Sequence, residues 1–319
     1  MSAPPPFLFV VGCGRSGTTV LRTILDAHPE LAVTHESKFV VPLGIRRRRY
    51  ERPEGFAVDR FVDDLLADPG VRGNLGLEEG WLRDALAGPV SDYPDAVRRV
   101  FAAYAARHNK RRYGDKMPGS VLRIPLLAEL FPEARFVHII RDGRDVALST
   151  MAIEDAERDP VYFALNWKAR VTAGREAGRA LGPGRYHEMR YEALIERPAE
   201  IINGVCAFLD LAYDPAMLRF FEQRDRVPAK VRSNPRHARL AEPLSKGARS
   251  WRTDMATSHV EVFEATAGDL LTELGYPRSV PRPSLRAQAR AAGGVVRWQA
   301  RRARARLPGH LRRSLGTRD

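Results

Sequence analysis

The sequence predicts an α/β fold, a single domain with a central parallel β-sheet flanked by helices. Two strand-loop-helix units carry this prediction: "FLFVVGCGRSGTTVLRTILDAH" near the start and "ARFVHIIRDGRDVALST" at 134–150. In each unit a short apolar run is followed by a glycine and then by apolar residues at helical spacing, which is typical of strands covered on both faces. With 319 residues, one large domain over 1–281 and an appended tail over 282–319 are expected.

The first unit supplies the opening strand and helix. The strand is the apolar run Phe7–Val11, which Gly12 closes, and a helix is expected to begin at Thr18 and to stop before Pro29. A second strand, Leu31–Thr34, follows this helix.

The loop between the first strand and the first helix fits a phosphate-binding pattern. Residues Gly12–Thr19 match G-x-x-x-x-G-x-[ST], whose backbone N–H groups and helix N-terminus hold phosphate oxygens. Thr18 stands where nucleotide hydrolases carry the lysine that reaches the β- and γ-phosphates, and a cation, Arg15, occurs three residues earlier. We therefore predict a nucleotide site that does not hydrolyse ATP.

The middle of the chain predicts a helical insertion and then the second unit. Residues 38–112 show amphipathic helical patterns and are expected to form an insertion beside the site. The second unit's strand ends at Arg141, and Ser149 falls about two turns into the helix after it. Polar residues after a parallel strand line the ligand crevice, so Arg141 is expected to face the same opening as the loop. Its planar guanidinium suits a phosphate group.

Charge is distributed unevenly along the chain. The net charge is +13, and the tail 282–319 has eleven arginines against Asp319 alone, so it carries +10 of this excess. A nearly neutral body argues against specific nucleic-acid binding, while the tail predicts peripheral contact with an anionic membrane. A solvated tail without a partner is the alternative.

No apolar run is long enough to cross a membrane and no signal peptide is recognised, so we expect a cytoplasmic protein, peripheral at the inner membrane surface.

Four stretches together resemble the PAPS-dependent sulfotransferase family: "GCGRSGTT", "DKMP", "RDGRDVALS" and "RYEALIERPAEIINGVCAFLDL". The spacing is similar too, since Lys116 precedes Arg141 by 25 residues and Ser149 follows Arg141 by eight, as in the family. The resemblance extends from about Phe7 to Tyr276 and implies the family's P-loop-like fold.

The resemblance implies a donor, 3′-phosphoadenosine 5′-phosphosulfate (PAPS, with product PAP), and no metal. Arg141 and Ser149 would hold the 3′-phosphate, and Lys116 and Arg15 would supply catalytic positive charge. The loop would hold the 5′-phosphosulfate through Gly14, Arg15, Ser16, Gly17, Thr18 and Thr19.

The general base is expected at the end of the second strand. Aryl and steroid members carry a histidine two residues after the catalytic lysine, where this chain has Pro118. The run from Arg15 to "THESKFVVP" instead resembles the tyrosylprotein sulfotransferases, whose catalytic glutamate position corresponds to Glu36 and whose basic acceptor-contacting position corresponds to Lys38. His35 is the competing base, because imidazole titrates near neutrality.

Four further positions are implied by resemblance. Tyr191 is expected either to approach the nucleotide or to pack in the core. Lys246 and Gly247 resemble a lid over the 3′-phosphate, and Trp251 would stack on adenine or close the core.

These observations predict a sulfotransferase that moves the sulfuryl group of PAPS to a hydroxyl or amine by in-line displacement, with Glu36 as base. The acceptor is expected to be a small molecule, lipid or glycan, with a tyrosine or other phenol also open. The alternatives are a P-loop kinase-like phosphotransferase and a non-catalytic basic protein that binds membrane or nucleic acid.

Overall fold

The computed structural model describes residues 5–152, 159–226, 240–245 and 250–306. These residues form two compact units. The first comprises 1–141 with 171–246, and the second comprises 142–170 with 247–319.

The first unit is built on a five-stranded parallel sheet with the order β2-β5-β1-β6-β7. Its strands are β1 (Leu8–Gly12), β2 (Leu31–His35), β5 (Arg112–Lys116), β6 (Arg135–Ile140) and β7 (Tyr186–Arg190). The strand order changes direction at β1, because the chain adds β2 and β5 on one side and β6 and β7 on the other. A ligand crevice is expected at such a point, beyond the carboxyl end of β1. The predicted parallel sheet is confirmed.

Helices cover the chain between and after the strands. They are α1 (Thr18–Asp26), α2 (Val40–Ile45), α3 (Val58–Ala67), α4 (Pro69–Leu75), α5 (Glu79–Ala85), α6 (Tyr93–Arg107), α7 (Ile124–Leu130), α8 (Gly143–Met151), α9 (Pro160–Leu181), α10 (Tyr191–Glu196), α11 (Pro198–Phe208), α12 (Trp251–Asp254), α13 (Thr257–Glu273) and α14 (Leu285–Arg306). Short 3₁₀ segments occur at Arg47–Arg49, Pro118–Arg123 and Pro215–Arg226.

Residues 38–112 are largely helical, but they also contain an antiparallel ribbon that the sequence analysis did not predict. Its strands β3 (Glu51–Arg52) and β4 (Gly55–Phe56) have two residues each, too few to produce an alternating pattern. The bounds of the insertion and of the domain remain predictions.

Both faces of the sheet are buried, and successive side chains along β1 pack alternately into two clusters of the core of this unit. Phe7, Phe9 and Val11 pack into a cluster with residues from 39–136, whereas Leu8 and Val10 pack into a second cluster with α1 and α11. Successive side chains of a strand point to opposite faces, which explains why the apolar run has no polar interruption. The loop after Gly12 is therefore carried by a fully buried strand.

In the second unit, Arg144 is fully buried and pairs with Asp142 and Glu264 at 2.7 and 2.5 Å. Its guanidinium also lies 3.6 Å from the centre of the Trp251 ring, which is 5 % exposed. The ring is thus occupied by packing within its own unit, which favours the core alternative for Trp251. Among the described residues, no helix combines the length and apolarity needed to cross a membrane.

Burial of His138 on β6 predicts an acid-sensitive fold. Its Nδ1 lies 2.6 Å from the Tyr186 hydroxyl, and burial lowers the pKa of His138 from 6.5 to about 3. Between these pH values the unfolded chain binds more protons than the native chain, so the free energy of unfolding must fall as the pH falls. We expect the free energy of unfolding of His138→Asn to be lower than that of the wild type at neutral pH. Across this window it should change less steeply with pH than in the wild type, by up to about 1.4 kcal/mol per pH unit. Urea unfolding of both proteins across the window measures the two slopes, and parallel slopes would contradict the prediction.

Candidate active site

The loop Cys13–Gly17 lies at the carboxyl end of β1, and close contacts explain its glycines. A Cβ at Gly12 would lie 2.6 Å from the Ile139 carbonyl oxygen, and a Cβ at Gly17 would lie 2.4 Å from the Tyr191 ring. Gly17 has a φ of 90° and is the N-cap of α1, so the turn into the helix needs the left-handed region that glycine adopts readily. Packing against β6 and Tyr191 therefore holds the loop close to the sheet.

This loop has the features of an anion cradle. The Ser16 hydroxyl oxygen is buried and has no hydrogen-bond partner among the described residues. A Cβ at Gly14 would meet nothing within 4 Å, so the backbone there can be approached closely. A buried polar atom without a partner is costly unless a ligand satisfies it, and the N-terminus of α1 adds positive potential at the same place. The residues present fit a bound phosphate or sulfate group.

Lys116 ends β5 and connects the loop to the predicted base. Its side chain is fully buried, and its Nζ donates to Glu36 Oε1 at 2.8 Å and to Thr19 Oγ1 at 3.4 Å. Burial lowers the pKa of Lys116, and the Glu36 carboxylate opposes this shift by stabilising the ammonium. Three predicted site residues from three separate segments thus meet within hydrogen-bonding distance.

Glu36 directly follows β2 in a strained conformation. Its φ is 51°, in the left-handed region, and its backbone is held by two hydrogen bonds: its N–H donates to the Lys116 carbonyl at 3.0 Å and its carbonyl accepts from Asn74 Nδ2 at 2.9 Å. Such backbone strain is concentrated at functional sites. The Glu36 side chain is 32 % exposed, whereas His35 is 7 % exposed as the last residue of β2. The structure therefore presents Glu36 to a ligand more openly than His35.

Asp115, which is not among the predicted site residues, supports the Glu36 turn. Its carboxylate is 2 % exposed and accepts from Thr34 Oγ1 at 2.7 Å, from Ser37 Oγ at 2.6 Å and from Ser37 N–H at 3.1 Å. Burial raises the pKa of Asp115, and these hydrogen bonds oppose the shift. The available signal was a carboxylate next to Lys116 in "GDKMP".

A pocket of about 220 Å³ lies beside Asp115 on the same edge of the sheet. Lys38, whose φ is also left-handed at 61°, contributes to its lining. The other lining residues are Ser37, Val40, Val41, Pro42, Asp115, Met117, Gly119, Ser120 and Arg123. Residues next to Glu36 and Lys116 in sequence therefore line a mostly apolar cavity, which suits the body of an acceptor molecule.

Arg141 follows β6 and reaches the loop. Its Nη1 donates to the Arg15 carbonyl at 3.4 Å, and its guanidinium lies 4.6 Å from the centre of the Tyr191 ring. Arg15 has a φ of 70°, so this contact lies at a strained point of the loop. Tyr191 thus packs between Gly17 and Arg141, and its approach to the nucleotide stays a prediction.

Ser149, Lys246 and Gly247 are the remaining predicted residues. Ser149 is in α8, in the second unit, two turns after the helix begins. Lys246 and Gly247 lie outside the described residues. Cys13 and Cys206 are both buried, and neither forms a disulfide. In the described ranges, no cluster of three or more His, Cys, Asp or Glu side chains is arranged to hold a metal ion.

Comparison with known proteins identifies the family of this chain. The model of the family described as "Sulfotransferase family" matches residues 6–215, which include all five strands of the sheet. The chain is 28% identical to nodulation protein NoeE of Sinorhizobium fredii, over 94% of this chain and 71% of NoeE. It is 25% identical to a putative protein-tyrosine sulfotransferase of Caenorhabditis briggsae, over 86% of this chain and 91% of that protein.

A solved structure with the same fold is the sulfotransferase domain of the Synechococcus PCC 7002 olefin synthase. Its TM-score is 0.56 at 22% identity, with 87% of this chain and 97% of that domain covered. The fold likeness agrees with the family match, which spans the loop, Glu36, Lys116 and Arg141 alike. The predicted resemblance is confirmed: the chain belongs to the sulfotransferase family of enzymes.

Proposed function

We propose that this enzyme transfers a sulfuryl group from PAPS to a hydroxyl acceptor, with Glu36 as the general base. The observation that carries the proposal is the contact of Lys116 with both Thr19 and Glu36 at the carboxyl edge of the sheet. One buried ammonium group links the anion cradle to a carboxylate that is partly open to solvent. Sulfuryl transfer requires this combination, positive charge on the donor side and a proton acceptor on the acceptor side.

The donor assignment rests on the loop and on Arg141. PAPS, when bound, supplies a sulfuryl group attached to a phosphate leaving group. The unpartnered Ser16 hydroxyl, the backbone at Gly14 and the N-terminus of α1 would hold its 5′-phosphosulfate. Arg141, at the end of the neighbouring strand, would hold the 3′-phosphate. A donor without a γ-phosphate also explains why Thr18 replaces the P-loop lysine.

Glu36 and Lys116 have different roles in the proposed reaction. The Glu36 carboxylate accepts the proton of the acceptor hydroxyl as that oxygen becomes a nucleophile. Lys116 keeps its positive charge beside the loop, where it stabilises negative charge that develops on oxygen. Their ion pair holds both side chains in position, and Asp115 fixes the turn that carries Glu36.

The acceptor is proposed to be a small molecule, lipid or glycan that enters the pocket near Lys38. The names of the relatives do not define one acceptor class, since one is named a nodulation protein and another a putative protein-tyrosine sulfotransferase. The apolar wall of Val40, Val41 and Met117 favours an acceptor with an apolar part next to its hydroxyl. A screen with labelled PAPS over phenols, sugars and lipid extracts would identify it.

Donor binding tests the proposal directly. We expect calorimetry to show tight binding of PAP and much weaker binding of ATP with Mg²⁺. Arg141→Ala should weaken PAP binding by about 100-fold, because a phosphate loses a charge-assisted hydrogen-bond partner.

Arg111→Ala is the matched control. Arg111 directly precedes β5, so it lies at the amino ends of the strands, whereas the site lies at their carboxyl ends. Its side chain is exposed and pairs with Glu30 at the surface. This variant should bind PAP as the wild type does. Preferential binding of ATP with Mg²⁺ would instead support the kinase-like alternative.

A further inference from the structure

The arginine-rich helix α14 presents an apolar stripe to solvent. Leu285 is 83 % exposed and Val296 is 65 % exposed, and they are two of the four large hydrophobic side chains described as exposed. Eleven residues separate them, which is about three helical turns, so both lie on the same side of the helix. Exposed alanines continue this side at Ala289, Ala292, Ala300 and Ala303.

Arginines line one flank of this stripe. Arg286, Arg290, Arg297 and Arg301 follow each other at intervals of four, seven and four residues, which places them along one side of a helix. Arg290 and Arg297 pair with Asp159 at 3.2 and 3.3 Å and remain 45 % and 62 % exposed. The helix therefore combines an apolar strip with a positively charged border.

The opposite side of α14 is fixed to the second unit. Ala287 and Ala291 are buried, and a Cβ at Gly294 would lie 2.2 Å from Val161, so the helix approaches α9 as closely as its backbone allows. The ring of Trp298 lies edge-on to Tyr162 at 5.5 Å. The apolar stripe is consequently held outward and cannot fold back onto its own unit.

We propose that this stripe lies on an anionic membrane surface, with Leu285 and Val296 inserted at the headgroup level and the arginine flank against lipid phosphates. Apolar side chains beside arginines are the pattern of helices that lie in the plane of a membrane interface. Nucleic acid would use the arginines but not the apolar strip, which has no partner on a phosphate backbone. The +10 charge of residues 282–319 complements anionic lipid rather than neutral lipid.

A pocket next to the arginine flank supports the same partner. It has a volume of about 370 Å³, and its lining includes Tyr162, Trp298, Arg297 and Arg301. Arg297 and Arg301 belong to the arginine flank, so positive charge that suits a lipid phosphate borders this pocket.

Vesicle flotation with the full chain tests the proposal. We expect binding to phosphatidylcholine vesicles that contain about 30% phosphatidylglycerol to be at least tenfold tighter than to pure phosphatidylcholine, and to weaken as salt rises. Leu285→Ser with Val296→Ser should weaken it by about tenfold or more, through lost apolar burial. Arg286→Gln with Arg301→Gln should also weaken it by about tenfold, through lost attraction to anionic lipid.

Arg111→Gln with Arg197→Gln is the matched control, because it removes the same charge from exposed positions of the first unit. This control should bind the vesicles within about twofold of the wild type, and all variants should keep the wild-type thermal midpoint, since the changed side chains are exposed. Equal binding to both vesicle types, equal losses in the control, or binding to a DNA duplex but not to vesicles would each overturn the proposal.

Discussion

Glu36→Gln is expected to lower turnover by about 10²- to 10⁴-fold while PAP binding stays within about twofold of the wild type. Glutamine has the shape of glutamate, and its Oε1 can still accept the hydrogen bond from Lys116, but it cannot take a proton from the acceptor. The change therefore removes proton transfer without removing the contact that holds the site together. Initial rates with labelled PAPS, together with PAP calorimetry, separate the two effects.

His35→Gln is the matched control for this prediction. His35 is buried at the end of β2, and we expect its replacement to change turnover much less than the Glu36 change. If Glu36→Gln keeps its activity while His35→Gln loses it, the base is His35 and the assignment of Glu36 is wrong.

Lys116→Met is expected to lower turnover by about 10²- to 10³-fold, the effect of removing one preorganised charge from a site with little water. Methionine fills nearly the same buried length without the ammonium group. The change leaves Glu36 and Thr19 without their shared donor, so the Glu36 carboxylate loses its partner. Steady-state rates and the thermal midpoint should be measured together, because the unpaired carboxylate is expected to lower stability as well.

Lys110→Met distinguishes the catalytic effect from the structural one. Lys110 is also a buried lysine, and its Nζ donates to the Leu31 carbonyl at 2.9 Å near the start of β2. Its loss should lower the thermal midpoint but leave turnover of the folded protein within a few-fold of the wild type.

The double variant Lys116→Met with Glu36→Gln should lose much less than the product of the two single losses, because the two side chains act as one unit. Independent, multiplying effects would contradict the shared site.

The local pattern of the sequence determined β1, β2 and β6, the loop and the first helix, whereas β5 and β7 were not predicted as strands. The apolar run before Gly12, the two glycines of the loop and the helical spacing after Thr18 were sufficient, because these signals depend on residues close together in the chain. The short ribbon after Tyr50 and the supporting role of Asp115 were not predicted, since neither leaves a periodic pattern. The family resemblance indicated Glu36 and Lys116 as candidate site residues. Their contact could not be predicted from local spacing, because they are 80 residues apart in the sequence.

Only the tertiary structure decided that these residues meet. Parallel pairing of β2 with β5 aligns His35 with Lys116, and the left-handed turn at Glu36 then brings its carboxylate to the lysine. Side-chain direction at a strand end depends on backbone geometry and on partners such as Asp115, which lie far away in sequence. The same holds for α14: its arginines were visible in the sequence, but packing against Val161 decides which side of the helix faces outward.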